Sequence, residues 1–204
     1  MTALLLVVAA YLIGAFPTSY VAGRLARGID LREHGSGNLG ATNAFRVLGW
    51  RAATPIFIVD IAKGFVPAYW FPRLDGSHAA SWALLYGTAA IIGHVFSIYV
   101  RFKGGKGVAT GAGVFLAVAP AAVAVGLVVW LLLVFTTGYV SLASIAAAAV
   151  LPVAVAVSGA PVEVLVLSVL LGGFVIYAHR ANIGRLRRGE EHRFRRGAAS
   201  TTEP

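Results

Sequence analysis

Long apolar runs make up most of the chain, and short polar segments rich in arginine and glycine separate them. A run at residues 52–71 carries only two charges, Asp60 and Lys63. Four further runs contain no Asp, Glu, Lys or Arg: residues 1–23, 76–100, 107–162 and 164–178. About 20 mainly apolar residues suffice to cross the ~30 Å hydrocarbon core of a bilayer. The pattern therefore predicts transmembrane helices.

The composition excludes most other classes of protein. Hydrophobic residues make up 58% of the 204 residues and charged residues 12%, whereas soluble domains average about 25% charged residues. Without cysteine, the chain cannot form a disulfide scaffold, a cysteine-ligated metal site or a thiol nucleophile. The first basic residue, Arg24, follows the first apolar run, which argues against a cleaved signal peptide and favours a retained first helix.

Basic residues indicate which side of the membrane each loop faces. Fifteen of the 17 Lys and Arg residues follow the first, third and last apolar runs, at residues 24–51, 101–106 and 180–196. Cytoplasmic loops of membrane proteins carry an excess of Lys and Arg. We therefore predict that these three segments are cytoplasmic and that the N-terminus lies outside.

Lys106 and Arg180 are both predicted to be cytoplasmic, so the chain between them must cross the membrane an even number of times. Four crossings require a break in the long uncharged run, and Pro120 offers it. It separates a short helix at 108–119 from a longer one at 121–135, and helices at 139–157 and 162–178 follow. At 1.5 Å per residue, the short helix covers only ~18 Å. Irregular backbone buried at membrane depth usually lines a site, so we expect a site beside this helix.

The predicted fold class is all-α: a polytopic membrane protein of about seven transmembrane helices, including short or half helices. Its N-terminus is expected outside and its C-terminus in the cytoplasm. We divide the chain into an integral membrane domain, residues 1–184, and a basic cytoplasmic tail, residues 185–204.

The first cytoplasmic segment combines glycines with neutral polar groups and one arginine, in the sequence SGNLGATNAFRVLG. Ser36, Asn38, Thr42 and Asn43 supply hydrogen-bonding groups, and Arg46 supplies a planar cation. Thr42 or Asn43 is expected to cap a following helix, with Arg46 on the face of Thr42. A plain polar turn is the alternative, but the position of Arg46 favours an anion site.

The second segment, FKGGKGVAT, is a glycine-rich loop that leads into the short helix. Gly104, Gly105 and Gly107 surround Lys106, and Thr110 lies in the first helical turn. Backbone N–H groups at a helix N-terminus together with one lysine can cradle a phosphate. The spacing is not that of a Walker A motif, and a flexible basic loop is the alternative.

The third segment, HRANIGRL, lies where the last apolar run meets the predicted cytoplasm. Contact with lipid headgroups explains Arg185 and the five arginines that follow this segment. It does not explain His179 and Asn182, and we interpret them as site residues.

Polar residues within the predicted helices have milder interpretations. Asp60 and Lys63 lie one helical turn apart and are expected to pair, although an intramembrane charge begins as a functional hypothesis. His94 is interpreted as a hydrogen-bonded residue between helices and not as a base. Ser141 either faces the site or bonds its own helix.

The candidate chemistry is rich in cations and poor in carboxylates. No acid pair is placed for acid–base catalysis, and no His, Asp and Glu cluster has metal-ligand spacing, so no metal site is predicted. No histidine is followed by an aspartate five residues later, which excludes a His–Asp acyltransferase dyad of that spacing. The residues predict a site for more than one phosphate at a cytoplasmic membrane face, with no nucleic-acid partner.

Ser36–Arg46, Gly104–Thr110 and His179–Asn182 resemble the three signature regions of the bacterial acyl-phosphate:glycerol-3-phosphate acyltransferase family, over nearly the whole chain. The resemblance implies a multi-pass enzyme of the bacterial inner membrane with its active site facing the cytoplasm. It implies that lysophosphatidic acid is made from glycerol 3-phosphate and a long-chain acyl phosphate, the first step of phospholipid synthesis. It further implies contact with membrane lipids, no cofactor or metal, and no use of acyl-CoA or acyl carrier protein.

The resemblance also implies roles for individual residues. The catalytic positions that it indicates are Ser36, Arg46, Lys106, His179 and Asn182. The positions that it indicates for substrate or phosphate binding are Asn38, Thr42, Asn43, Gly104, Gly105, Gly107, Thr110, Ser141 and Glu191. Ala181 departs from the acidic residue expected after His-Arg.

The expected reaction needs mainly charge neutralisation and alignment, because an acyl phosphate carries a good leaving group. We hypothesise that Lys106 and the backbone of residues 104–107 hold one phosphate, while Arg46, Ser36 and Asn182 hold the other. The proton of the attacking hydroxyl passes to a phosphate oxygen of the substrate or to His179. A transporter of a phosphorylated metabolite is the alternative function, and a non-catalytic module that binds anionic lipid is a third.

Overall fold

The computed structural model describes residues 2–77 and 79–194, and within these ranges the regular structure is entirely helical. The predicted tail therefore lies partly outside the described residues, from 195 onward. The helices are α1 (Thr2–Ala15), α2 (Thr18–Arg27), α3 (Ala41–Leu48), α4 (Trp50–Leu74), α5 (Ala80–Val95), α6 (Val108–Val118), α7 (Pro120–Thr137), α8 (Val140–Val157), α9 (Val162–Ala178) and α10 (Arg180–Arg187). A short 3₁₀ turn, Ile98–Val100, follows α5.

Five segments of the described chain are long and apolar enough to cross a membrane. They are Thr2–Arg27, Trp50–Leu74, Ala80–Val100, Pro120–Thr137 and Val140–Val157. Helices α9 and α10, bent by 55°, make a sixth if they act as one span, and α6 is a shorter apolar helix. The all-helical membrane architecture is as predicted, whereas seven crossings and their orientation stay predictions.

Two prolines break the helical pattern, and only one of the breaks was expected. Helix α6 ends at Val118 and α7 begins at Pro120, as the sequence predicts. The first apolar run, in contrast, is divided at Phe16 and Pro17 into α1 and α2. Proline lacks the N–H group that a helix interior requires, so α1 and α2 are separate helices, although together they make one candidate span.

Helix α6 lies at the centre of the molecule. Val114 and Phe115 are completely buried, and α6 packs against α4 at very short range. A Cβ atom added to Gly64 of α4 would lie 2.0 Å from the carbonyl oxygen of Thr110, and one added to Gly113 would lie 2.0 Å from that of Ile61. Small residues let helix backbones approach closely in membrane proteins, and these glycines fix α6 against α4.

Helices α1 and α5 meet in the same way. Added Cβ atoms at Gly14 and Gly93 would lie 2.0 Å from the carbonyl oxygen of Ala90 and 2.1 Å from that of Tyr11. The end of α5 is thereby fixed against the α1–α2 break. This matters for the site, because the loop that carries Lys106 rests on that end.

The predicted pair of intramembrane charges is present in the structure. It stabilises the break between α1 and α2. Lys63 Nζ lies 2.7 Å from Asp60 Oδ1 and donates to the carbonyl oxygen of Phe16 at 2.5 Å. The hydroxyl of Thr18 donates to the same carboxylate oxygen at 3.1 Å. Pairing therefore satisfies both charges in a place where they are almost completely buried.

Candidate functional site

One cavity of about 730 Å³ brings most of the predicted site residues together. It lies where α3, the start of α6, the α9–α10 bend and residues 191–194 converge. Eleven of the 14 predicted site residues line it: Ser36, Asn38, Thr42, Asn43, Arg46, Lys106, Gly107, Ser141, His179, Asn182 and Glu191. Three segments that are far apart in sequence thus form one site.

Helix α3 presents the residues of the first segment. It begins at Ala41 after Gly40, which makes no side-chain cap, so the expected capping role of Thr42 or Asn43 is wrong. Thr42 and Arg46 lie one turn apart and are both exposed along the cavity. Their relation on one helix face is the predicted one.

Asn43 organises the loop before α3. It is 2% exposed, and its amide donates to the carbonyl oxygens of Leu31 and His34 at 3.1 and 3.0 Å. Its Oδ1 atom accepts the backbone N–H of Ser36 at 2.8 Å. These bonds occupy both ends of the amide, so Asn43 positions Ser36 beside the cavity.

A chain of hydrogen bonds joins the second and third segments. Lys106 Nζ donates to Asn182 Oδ1, and Asn182 Nδ2 donates to Glu191 Oε1 at 2.8 Å. The same carboxylate accepts Ser141 Oγ at 3.1 Å, and its other oxygen accepts Arg185 Nε at 2.7 Å. Glu191 therefore orients Asn182, which in turn fixes the lysine.

Lys106 and Glu191, two titratable groups of this hydrogen-bonded network, have shifted pKa values. Burial lowers the pKa of Lys106 to about 8, an effect that the nearby Glu191 carboxylate opposes. Burial acts to raise the pKa of Glu191, but hydrogen bonds from Asn182 and Arg185 outweigh it and leave this pKa below its usual range. Lys106 thus carries a charge near neutral pH that its surroundings only partly balance.

Cations outnumber acids along the cavity lining. The cationic side chains are Arg27, Arg46, Lys106 and Arg193, and the carboxylates are Asp60 and Glu191. Asp60 is neutralised by Lys63 and Glu191 by Arg185. The excess positive charge favours an anionic ligand with more than one charge.

His179 lies at the bend between α9 and α10 and is 5% exposed. Its Nδ1 atom lies 2.8 Å from the carbonyl oxygen of Val175. Because a carbonyl only accepts, Nδ1 carries the hydrogen, and Nε2 is left as the acceptor of the neutral ring.

Three predicted residues do not line the cavity. The N–H groups of Gly104 and Gly105 donate to the carbonyl oxygens of Val95 and His94, each at 3.0 Å, so they are not free to bind a phosphate in this structure. Thr110 is completely buried, and its hydroxyl has no hydrogen-bond partner within residues 2–77 and 79–194. Of the predicted phosphate loop, Lys106, Gly107 and the N-terminus of α6 reach the cavity.

Apolar residues that the sequence analysis did not single out form part of the lining. They are Phe45, Val47, Leu48, Trp50, Phe57, Val108, Ala109, Trp130, Val140 and Phe194. Trp130 Nε1 donates to the hydroxyl of Ser144 at 3.2 Å, which satisfies both polar groups within this apolar part. Because these residues come from several distant elements, no local motif marks them.

Residues 191–194 close one side of the cavity. The N–H of Phe194 donates to the carbonyl oxygen of Gly138 at 2.6 Å, and its ring stacks on Phe45 with 4.6 Å between centroids. Arg193 Nε donates to the hydroxyl of Tyr139 at 3.0 Å. This segment joins α3 to the α7–α8 turn.

Comparisons with known proteins agree with the resemblance. Residues 4–189 match the model of the family described as glycerol-3-phosphate acyltransferase. A Bacillus cereus protein named glycerol-3-phosphate acyltransferase is 48% identical over 185 residues, which cover 91% of each chain. One from Chlorobaculum tepidum is 39% identical and covers 95% of this chain and 97% of its own.

Two crystal structures share the fold. Both are of PlsY (YgiH), an integral membrane glycerol 3-phosphate acyltransferase. The glycerol 3-phosphate form has a TM-score of 0.89 and 42% identity and covers 96% of each chain. The lysophosphatidic acid form has a TM-score of 0.85 and 41% identity and covers 95% of each chain.

Proposed function

The chain belongs to the glycerol-3-phosphate acyltransferase family, and from this premise we propose that its acyl donor is a long-chain acyl phosphate. The acceptor is glycerol 3-phosphate, and the products are lysophosphatidic acid and phosphate. PlsY structures in glycerol 3-phosphate and lysophosphatidic acid forms support this acceptor and this product. Neither acyl-CoA nor acyl carrier protein serves as donor in this proposal.

One observation carries the proposal: Arg46 and Lys106 come from different elements but line the same cavity, and no carboxylate there fully balances them. Each substrate brings a phosphate group of nearly two charges at neutral pH. An acyl-CoA would bring its thioester without a phosphate at the reacting carbon. Two separate cations in one cavity with an apolar wall suit two phosphates and an acyl chain.

The reaction follows from this arrangement. The primary hydroxyl of glycerol 3-phosphate attacks the acyl carbon, and a new ester C–O bond forms. The anhydride C–O bond then breaks, and its electron pair leaves with the phosphate. Arg46, Ser36 and Asn182 hold one phosphate, while Lys106 and the first N–H groups of α6 hold the other. The cations stabilise the charge that builds up on the leaving group.

The hydroxyl proton has two possible acceptors, a phosphate oxygen of the substrate or Nε2 of His179. The hydrogen bond from Nδ1 to Val175 supports the second, because it leaves Nε2 as an acceptor. A pH–rate profile of His179→Ala decides between them. Retained turnover with an unchanged profile would exclude His179 as an obligatory base.

We further propose that the cavity opens to the cytoplasm from the bacterial inner membrane. Residues from all three basic segments line one cavity, which supports their lying on the same side. Residues 1–184 form the catalytic membrane domain in this proposal. Residues 185–204 form the tail, of which 191–194 fold back onto the cavity.

The donor is tested with purified protein in detergent. Glycerol 3-phosphate is supplied with palmitoyl phosphate or, separately, with palmitoyl-CoA, and lysophosphatidate is measured by mass spectrometry. We expect product only with palmitoyl phosphate. Product from palmitoyl-CoA at a comparable rate would contradict the proposed donor, and uptake of glycerol 3-phosphate into proteoliposomes without acylation would support a transporter.

A further inference from the structure

The loop that carries Lys106 is built directly onto the end of α5. Helix α5 ends at Val95, and the last carbonyl groups of a helix have no partner within it. The N–H groups of Gly104 and Gly105 supply these partners at 3.0 Å. The loop therefore satisfies the last carbonyl groups of α5, as a further helical turn would. The position of the loop is thus determined by His94 and Val95.

The two glycines are required by this contact. A Cβ atom added to Gly104 would lie 2.0 Å from the carbonyl oxygen of His94, and one added to Gly105 would lie 2.1 Å from Nε2 of the His94 ring. Real Cβ atoms do not approach other atoms so closely, so any larger residue must displace the loop or the ring. The three nearest atoms at both positions belong to α5.

The His94 ring lies between Asp60, a small cavity and the 730 Å³ site cavity, which it also lines. It is 7% exposed, and its Nδ1 atom lies 4.0 Å from Asp60 Oδ1, which Lys63 and Thr18 already bind. The small cavity beside it measures about 10 Å³, which is about the space of one water molecule. An imidazole displaced by a new methyl group does not fit there, so the space left to it is the site cavity itself.

We propose that His94 is a positioning residue: its ring lies between Asp60 and Gly105, supports Gly105 and thereby sets the place of Lys106. Gly104 and Gly105 are glycines because α5 occupies the space of their side chains, and not because they contact a phosphate. The inference rests on the proposed function only in the role given to Lys106. A misplacement of about 1 Å can cost ~10²-fold in rate.

A cycle of variants tests the contact between Gly105 and His94. Gly105→Ala is expected to lower kcat/KM by ~10²-fold, because the loop moves away from the ring. His94→Ala is expected to cost less, about tenfold, because the loop loses its support but meets no clash. The double variant removes the clash and is expected to recover at least about tenfold over Gly105→Ala. Gly173→Ala is the matched control, since an added Cβ there meets open space.

The kinetic constants separate positioning from loss of folded protein. All variants are assayed as monodisperse protein in detergent, with the thermal midpoint measured on the same samples. A smaller folded fraction lowers kcat alone, whereas a displaced Lys106 also raises KM for a phosphate-bearing substrate. If Gly105→Ala cannot be purified, a raised KM in His94→Ala carries the test, and an unchanged KM overturns the proposal.

Two results would overturn the inference. A double variant as inactive as Gly105→Ala would mean that the added methyl group collides with substrate, as a phosphate cradle requires. A His94→Ala variant with wild-type kcat and KM would mean that the ring supports nothing. The cycle uses whichever acyl donor the wild type accepts, so its outcome is independent of the donor proposal.

Discussion

Two buried ionic clusters among the described residues, one around Asp60 and one around Glu191, differ in how their charges are balanced. Asp60 and Lys63 form a closed pair whose remaining bonds go to Thr18 and the carbonyl of Phe16. In the second cluster, by contrast, Glu191 is shared between cationic and neutral donors, and Arg46 has no carboxylate within salt-bridge distance among the described residues. The closed pair stabilises a break between two helices. The open cluster retains positive charge that an anionic ligand can balance.

Loss of a charge should affect stability in the closed pair and activity in the open cluster. Removing one member of a closed buried pair leaves an unpaired charge in the interior, which costs about 3–5 kcal/mol. Removing a cation from the open cluster costs little folding energy, because its charge is not matched within the protein, but it costs activity. The predictions below test this separation.

The largest effect is expected on stability, from Lys63→Met. Asp60 is 2% exposed and would lose its cation, so unfolding free energy should fall by about 3–5 kcal/mol. Thermal unfolding in detergent measures it, with the exposed Arg73→Met on the same helix as control. Asp60→Asn combined with Lys63→Met should regain most of the loss. A double variant no more stable than Lys63→Met would show that the pair is not closed.

The next effect is on catalysis, from Lys106→Ala. We expect kcat/KM to fall by ~10²–10³-fold, about 2.7–4 kcal/mol of transition-state stabilisation, as for loss of a donor at a developing anion. The thermal midpoint should change little. Lys103→Ala, in the same loop but exposed and outside the cavity lining, is the control. A loss below about threefold, under 1 kcal/mol, would remove Lys106 from the proposed site.

The sequence predicts the helices well because hydrophobicity determines which segments enter a membrane. Charge-free runs gave the spans, and Pro120 gave the break that α6 and α7 show. The break at Pro17 was missed, because residues 1–23 carry no charge on either side of it. Lys63, which binds the carbonyl of Phe16 at that break, is distant in sequence. Only its pairing with Asp60 could be predicted, from their spacing.

Site residues could be predicted from the sequence where a local motif indicates them. They could not be predicted where the role of a residue depends on a neighbour that is distant in sequence. Glycines before a helix fit a phosphate cradle and a tight packing contact equally well. Only the fold reveals that His94 lies against Gly105. Phe194 likewise carries no local signal, because its partners Phe45 and Gly138 come from other elements.

A smaller effect is expected from pH. The pKa of Lys106 is lowered to about 8, so its protonated fraction falls as the pH rises through 8. Substrate phosphates, with a second pKa near 6, are already dianions there. We expect kcat/KM to decline about tenfold per unit well above pH 8. Lys106→Arg stays charged and should lack this decline. The same decline in Lys106→Arg would assign it to another group.

The smallest effect concerns the segment that closes the cavity. Phe194→Ala removes the ring stacked on Phe45, and such a pair contributes about 0.5–1.5 kcal/mol. Because Phe194 borders the apolar part of the lining, we expect KM for the acyl donor to rise by about two- to tenfold, with kcat nearly unchanged. Leu25→Ala, 84% exposed and outside the lining, is the control. A fall in kcat with constant KM would instead place Phe194 with the charged cluster, as support for Glu191, and would extend the open cluster to the end of the segment.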